Sequence, residues 1–208
     1  MAHQEGGKHQ DHGEGKHGNP ADLRAYLEKL EGPDRAAWQK PDQVIAALGL
    51  TKGAVACEIG GGPGYFALRL ARAVGASGRV FAVDVEPALL SVLRDRLQAA
   101  QVKNLTPVLA LAGDPLLPEA TCDLALIVDT YHHFPDGTAY LSKLARALKP
   151  GGRIVNIDFL PGDLPVGPPP SRRVAREQML REAERAGLSL TAEYGFLPYQ
   201  YFFEFQLR

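Results

Sequence analysis

The feature that most constrains this chain is an apolar run that ends in an acid and breaks into a glycine-rich turn. Residues 54–59 predict a buried strand, residues 60–64 a tight loop, and residues 67–74 a helix. Glycines remove side chains where a ligand must touch the backbone, and the N-terminus of a helix offers N–H groups to negative charge. A strand, a loop and a helix in this order therefore predict a nucleotide-cofactor site.

The spacing of the glycines is compatible with two kinds of cofactor. Residues 62–67 satisfy the dinucleotide fingerprint G-x-G-x-x-G/A, and Asp84 lies at the expected distance beyond it. A more specific pattern is the acid Glu58 followed by three glycines on alternate positions, Gly60, Gly62 and Gly64. This pattern resembles motif I of the class I S-adenosylmethionine-dependent methyltransferases. An NAD-dependent oxidoreductase is the alternative interpretation.

Four further segments resemble the same family, in the order in which the family has them. They are a strand that ends in Asp84, a turn at residues 111–115, a strand with a polar segment at residues 122–134, and an L-K-P-G-G element within residues 144–158. The resemblance spans residues 55–158 and implies S-adenosylmethionine as the cofactor. It also implies a Rossmann-like α/β fold, with a seven-stranded, mostly parallel sheet, helices on both faces and an antiparallel C-terminal hairpin.

The resemblance implies roles for several residues of the expected site. In this family an acid at the position of Asp84 accepts from both ribose hydroxyls, because a carboxylate offers two acceptors to two adjacent donors. Asp114 matches an acid that accepts from the adenine amino group. Asp129 suits contact with the cationic amino end of the cofactor, or else caps a helix. The predicted cofactor set is completed by Val85 and by the residues of the first turn, Glu58, Gly60, Gly61, Gly62 and Gly64.

Two adjacent histidines, His132 and His133, are the candidates for catalysis. Histidine titrates near neutral pH, and a methyl transfer needs a base where the acceptor carries a proton. Neighbouring side chains in a turn point different ways, so we expect one imidazole to face the acceptor, with His133 as the first choice. A structural role, as a cap or as a partner of backbone groups, is the alternative for either histidine.

Alternating strands and helices predict parallel crossover connections along most of the chain. A period-two segment from residue 199 predicts a last strand, paired in a hairpin with residues 188–194. Ligands are then expected over the carboxyl ends of strands one and four. The other strands are expected near residues 54–59, 79–84, 105–111, 122–128 and 153–159, and helices near residues 87–100, 137–148 and 172–186.

The N-terminal region divides into two parts. Residues 1–20 lack apolar periodicity and predict a disordered tail, whose irregularly spaced histidines indicate either a loose metal-binding tract or only a solubilising segment. Residues 21–208 are predicted to be the methyltransferase domain, in which residues 21–50 form two short helices that cap the cofactor end of the sheet. Trp38 is expected in the core rather than in a lid. The histidines of the tail are His3, His9, His12 and His17.

Composition and charge restrict the partners of this 208-residue chain. A net charge of −1 gives no electrostatic basis for nucleic-acid binding. No apolar run of membrane-spanning length and no N-terminal signal core are present, so we expect a soluble, cytoplasmic protein with no membrane partner. Cys57 and Cys122 are expected to be small buried residues of a reduced protein, with no metal site. Three arginines predict a solvated helix face, Arg172, Arg173 and Arg176.

Together these observations favour an S-adenosylmethionine-dependent methyltransferase that acts on a small molecule. The methyl acceptor, the acceptor atom and the oligomeric state stay open, although the lack of a cysteine set argues against arsenite. Residues 159–170, with five prolines, are expected to form a stiff loop on the substrate side. Besides the NAD-dependent oxidoreductase, a non-catalytic cofactor-binding or metal-handling protein is an alternative.

Overall fold

The computed structural model describes residues 22–208, so the predicted tail lies outside the described residues. Seven strands form one sheet in the order β3-β2-β1-β4-β5-β7-β6. The strands are β1 (Val55–Ile59), β2 (Arg79–Asp84), β3 (Leu105–Leu109), β4 (Cys122–Val128), β5 (Leu148–Phe159), β6 (Leu188–Tyr194) and β7 (Gln200–Leu207). The helices are α1 (Leu23–Leu30), α2 (Arg35–Gln39), α3 (Pro41–Ala47), α4 (Ala67–Val74), α5 (Pro87–Ala99), α6 (Gly137–Arg146) and α7 (Arg176–Arg185).

The sheet confirms the predicted fold class. The pairs β1 with β2, β1 with β4, β2 with β3 and β4 with β5 are all parallel. Strand β7 is antiparallel to both of its neighbours, β5 and β6, and so forms the predicted C-terminal hairpin. The strand order reverses at β1 and β4, which puts the switch point of the sheet between them.

Two apolar layers cover the two faces of the sheet. One face packs against α4 and α5 through residues such as Leu70 and Leu93, and the other packs against α6 and α7 through Leu144 and Met179. Strand β4 contributes side chains to both layers, so its sequence is an almost continuous apolar run rather than an alternating one.

Strand β7 departs from the one-sided burial that its alternating sequence predicted. Phe203 and Phe205 are buried on one face as expected, but Phe202 is buried on the other face. The reason is that β7 lies between β5 and β6 and is covered on both sides. Gln200, at the beginning of the strand, is also buried and 3% exposed, although its polar side chain predicted a solvent-facing position.

Within the described part of the chain, which starts at residue 22, three helices rather than the predicted two precede β1. The carboxylate of Asp22 caps α1 by accepting from the Ala25 N–H, and Pro41 opens α3 at a position that tolerates proline. The additional helix α2 carries Trp38, which is only partly buried and lies outside both apolar layers. Its ring packs 5.7 Å from the ring of Phe159, near the carboxyl end of β5.

The prediction of reduced cysteines is contradicted, because Cys57 and Cys122 form a disulfide between β1 and β4. Their Cα atoms are 6.0 Å apart, a separation that a disulfide spans. Both residues were correctly expected in central strands, but the β1–β4 register pairs Cys57 with Ala125, so no local pattern indicates that Cys57 and Cys122 meet. Within residues 22–208, none of the helices combines the length and the apolar character that crossing a membrane requires.

Candidate active site

A cleft opens over the carboxyl ends of β1, β2 and β4, at the switch point of the sheet. The loop after β1 forms its floor, and α1 contributes Tyr26 and Leu30 to its wall. Of the two predicted N-terminal helices, the first, α1, therefore lines this end of the sheet, whereas no residue of α3 is among the lining residues. The titratable lining residues are Tyr26, Arg35, Glu58, Tyr65, Asp84, Glu86, Asp129, His133 and Tyr140.

The glycines of the first turn serve different purposes. A Cβ atom on Gly60 would overlap the side chain of Thr130, and one on Gly64 would overlap Leu93, so these positions are small because of packing. A Cβ atom on Gly62 would make only ordinary contacts, with Leu30 at 3.9 Å and Leu89 at 4.0 Å, and Gly62 also has a φ of 51° and lines the cleft. Gly61 packs more tightly, against Ala82. The loop therefore offers bare backbone to a ligand at Gly62.

Glu58 is the most perturbed acid of the cleft. Its side chain is buried, and its Oε2 atom has no hydrogen-bond partner among residues 22–208. Burial raises the pKa of Glu58 to about 8, although the Arg35 guanidinium and the Ala67 N–H act in the opposite direction. A buried acceptor without a donor costs free energy, and here it faces the cleft, where a ligand can supply the donor.

Asp84 ends β2 and organises the backbone around it. Its Oδ2 atom accepts from the Gly62 N–H at 2.8 Å, and its Oδ1 atom accepts from the Glu86 N–H at 2.9 Å. Burial nevertheless raises the pKa of Asp84 above its usual value. Each oxygen keeps a second lone pair, so both remain able to accept from a ligand hydroxyl. Val85 follows Asp84 and lines the same part of the cleft.

Asp129 lies in a cage of donors that the sequence did not indicate. Its Oδ2 atom accepts from Gln39 Nε2 at 2.8 Å and lies 3.5 Å from Arg35 Nη2, and its Oδ1 atom accepts from Gln200 Nε2. Burial raises the pKa of Asp129 to about 6, against the lowering effect of Arg35. The residue has a φ of 53°, in the left-handed region, and its side chain caps no helix. Two elements from distant parts of the chain, α2 and β7, therefore converge on it.

The structure does not bring Asp114 into the cleft. Its carboxylate accepts from the Leu116 N–H at 2.9 Å and pairs with Lys143 Nζ at 3.1 Å, and these two interactions lower its pKa. The neighbouring residues 110–112 line the cleft instead. The predicted contact of Asp114 with adenine is therefore not supported by its position.

The two histidines have different environments. His133 lines the cleft, whereas the buried side chain of His132 is absent from its lining and holds Asp158, with Nδ1 2.9 and 3.0 Å from the two carboxylate oxygens. The expectation that the rings diverge is wrong: their centroids are 4.3 Å apart and their planes are tilted by 37°. The turn Tyr131–His133 is a single 3-10 turn, which lets adjacent rings lie over each other.

The comparison with known families identifies the domain. Residues 56–152 match a family model described as a methyltransferase domain. These residues are a methyltransferase domain, similar to those of the class I S-adenosylmethionine-dependent methyltransferases. Ubiquinone/menaquinone biosynthesis C-methyltransferase UbiE of Marinomonas sp. is 30% identical to the chain over 131 residues, which cover 62% of this chain and 51% of that relative. The methyltransferase chain thus spans about half the length of the curated relatives it matches.

Solved structures share the fold of this methyltransferase domain. An S-adenosylmethionine-dependent methyltransferase from Aquifex aeolicus has a TM-score of 0.82 at 24% identity, covering 87% of this chain and 96% of the other. The [4+2]-cyclase SpnF has a TM-score of 0.67 at 20% identity, covering 77% of this chain and 61% of the other. Both likenesses concern the fold alone, and the second carries a different named activity.

The cleft has the features that S-adenosylmethionine, the cofactor of this family, requires. Gly62 presents bare backbone to the cleft, and the Oε2 atom of Glu58 is a buried acceptor without a donor among residues 22–208. The methyltransferase signature did not reveal Arg35, Gln39 or Gln200, which complete the site from α2 and β7. In the sequence, the signal that would have pointed to Gln200 is a glutamine at the start of an apolar strand.

Proposed function

We propose that this chain transfers a methyl group from S-adenosylmethionine to a small-molecule acceptor. The observation that carries the proposal is the turn after β1, where Gly62 lines the cleft and the buried Oε2 atom of Glu58 has no hydrogen-bond partner among residues 22–208. The match of residues 56–152 to a methyltransferase domain and the UbiE relatives support it.

The cleft offers complementary groups for the ribose, the ammonium group and the carboxylate of the cofactor. We assign the ribose hydroxyls to Asp84, because its two oxygens retain acceptor capacity beyond the two backbone bonds. We assign the ammonium group to Glu58, whose Oε2 lacks a donor, rather than to Asp129, whose carboxylate already has three side-chain donors. Arg35 provides the planar fork that suits the cofactor carboxylate.

The chain itself contributes positioning and a base. When bound, S-adenosylmethionine supplies a methyl group on a sulfonium, whose transfer is accelerated mainly by proximity and alignment. Tyr26 and Leu30 narrow the cleft from the α1 side and exclude water. His133, which lines the cleft, takes the proton of an acceptor that is protonated at neutral pH.

The acceptor class is the least constrained part of the proposal. UbiE relatives are named for carbon methylation in quinone biosynthesis, which favours a ring that is activated by an ionised oxygen. A net charge of −1 gives no support to a nucleic-acid acceptor. We keep the cytoplasm as the proposed location, and the Cys57–Cys122 disulfide weighs against it, because disulfides are rare in that compartment outside hyperthermophiles.

Calorimetry and a transfer assay test the proposal together. S-adenosylmethionine and S-adenosylhomocysteine should bind the full-length chain and raise its thermal stability, whereas NAD should do neither. Methyl-labelled S-adenosylmethionine should then label at least one member of a panel of phenolic and enolic small molecules. Binding of NAD in place of the other two ligands would refute the proposal.

A second candidate is cofactor binding without methyl transfer, which the fold shared with the [4+2]-cyclase SpnF makes reasonable. Tight binding of S-adenosylhomocysteine with no labelled product from the whole panel would favour this second function.

A further inference from the structure

Arg172 differs from the two arginines beside it. Arg173 donates to the carbonyl groups of Gly162 and Pro168, and Arg176 forms an ion pair with Glu193. Among residues 22–208, the side chain of Arg172 has neither a carboxylate nor a carbonyl partner, and it is exposed. The prediction that all three lie on one helix face is wrong, because α7 begins only at Arg176, whereas Arg172 ends the 3-10 turn Pro170–Arg172 and Arg173 follows it.

The surrounding loop holds Arg172 at the mouth of the cleft. Residues 159–170 are stiffened by five prolines, and Arg173 fastens this segment through its carbonyl groups. The 3-10 turn Pro170–Arg172 follows directly. Arg172 is also close enough to Tyr26, a lining residue, to lower its pKa, although burial raises that pKa overall.

The contact between Arg172 and His133 has a chemical consequence. Nη2 of Arg172 lies 3.1 Å from Nδ1 of His133. A guanidinium has donors only, so Nδ1 must be the acceptor of this bond and its lone pair is occupied by Arg172. A general base needs that lone pair, so Nδ1 can take a proton only after Arg172 has moved to another partner.

We propose that this other partner is an ionised acidic group, a carboxylate or phenolate, on the acceptor itself, and that Arg172 thereby selects anionic acceptors. A carboxylate forms a stronger, bidentate bond with a guanidinium than a neutral imidazole does, so it displaces His133. This inference rests on the proposed function, because it concerns the acceptor side of the same cleft.

The proton and the electron pairs each have a defined destination. The acceptor's reactive X–H bond breaks, its proton passes to Nδ1 of His133, and the electron pair stays on atom X. That pair forms the bond to the methyl carbon, while the pair of the carbon–sulfur bond leaves with the sulfur, which becomes a neutral thioether. The imidazolium then returns its proton to water, and Arg172 donates again to Nδ1.

Pairs of carboxylates and amides of equal shape test the inference. Full-length protein saturated with S-adenosylhomocysteine is titrated with benzoate and 2-hydroxybenzoate, and separately with benzamide and 2-hydroxybenzamide. We expect each bound carboxylate to bind roughly tenfold or more tightly than its amide. Arg172→Gln should abolish this preference, Arg172→Lys should keep part of it, and Arg176→Gln should keep all of it.

The outcomes separate this inference from the proposed function. Binding of S-adenosylhomocysteine to each variant is measured first, and its absence from the wild type would count against the proposed function alone. If S-adenosylhomocysteine binds but no carboxylate binds better than its amide, Arg172 does not select anions. A preference that persists in Arg172→Gln, with an unchanged melting temperature, would equally overturn the inference.

Discussion

The imidazole of His132 and the carboxylate of Asp158 form a buried pair behind the cleft, with Nδ1 2.9 Å from Oδ1. Asp158 also accepts from the backbone N–H groups of His132 and Phe159. The carboxylate thus fixes the ring of His132, and the ring in turn supports that of His133 at 4.3 Å. The two histidines of one turn therefore have separate tasks, one positioning and one facing the ligand.

His133→Ala should lower the turnover number by roughly 10²–10⁴ while the affinity for S-adenosylhomocysteine stays close to that of the wild type, as expected for a general base. Steady-state kinetics on the true acceptor and calorimetry measure the two quantities. A wild-type rate with an unchanged pH profile would assign catalysis to positioning alone.

His132→Ala should act mainly on stability. Removing the imidazole leaves the buried carboxylate of Asp158 with only its backbone donors, which costs about 1–3 kcal/mol of unfolding free energy. Urea denaturation measures this loss, and Asp158→Asn is the matched variant because it removes the charge while preserving the shape. If neither substitution lowers the denaturation midpoint, the pair contributes no net stability.

Glu58→Gln should have opposite effects on stability and on cofactor binding. The native state keeps the proton of Glu58 up to a pH near 8, whereas the usual pKa is 4.5, so the free protein loses stability as the pH rises between these values. Each tenfold difference in proton affinity between the native and unfolded states corresponds to about 1.4 kcal/mol. The pKa of Asp129 is about 6, so its titration is largely over at about pH 7, and the range from about 7 to about 8 reports mainly on Glu58.

The variant should therefore melt at a higher temperature than the wild type at pH 8 and show a flatter dependence on pH. It should also bind S-adenosylhomocysteine more weakly, because an amide lacks the charge that attracts an ammonium group. Equal affinities in the two proteins would exclude Glu58 as the ammonium partner.

Asp84→Ala should weaken S-adenosylhomocysteine binding by roughly 1.5–3 kcal/mol through loss of charge-assisted bonds. Part of this loss comes from the loop, since Asp84 also accepts from the Gly62 N–H. Asp123→Ala is the control, because Asp123 likewise accepts from a backbone N–H, that of Val55, but lies at the opposite end of the sheet. Calorimetry that shows equal affinities for wild type and Asp84→Ala would refute the ribose assignment.

Local patterns predicted the fold well and the site only in part. Strands β2, β4 and β6 begin and end where the sequence indicated, because an apolar run and its flanking turns are local features. The cage around Asp129 is not local: Arg35 and Gln200 lie 94 and 71 residues away along the chain. Which donors meet at the switch point depends on how α2 and β7 pack, and no motif encodes that packing.

The Cys57–Cys122 disulfide should contribute to the stability of the native protein. Cys57 and Cys122 are 65 residues apart, and closing a loop of this length stabilises the native state by roughly 4 kcal/mol if the effect lies in the unfolded chain. The denaturation midpoint should therefore fall when the unfolded protein is reduced, whereas the double variant Cys57→Ala/Cys122→Ala should not respond to reductant.

Both cysteines are fully buried, so reductant should act through unfolding and not on the native protein. Two alkylated thiols in denatured protein that never met a reductant would show that the cysteines are free, and the stabilisation would then have to come from packing between β1 and β4 alone.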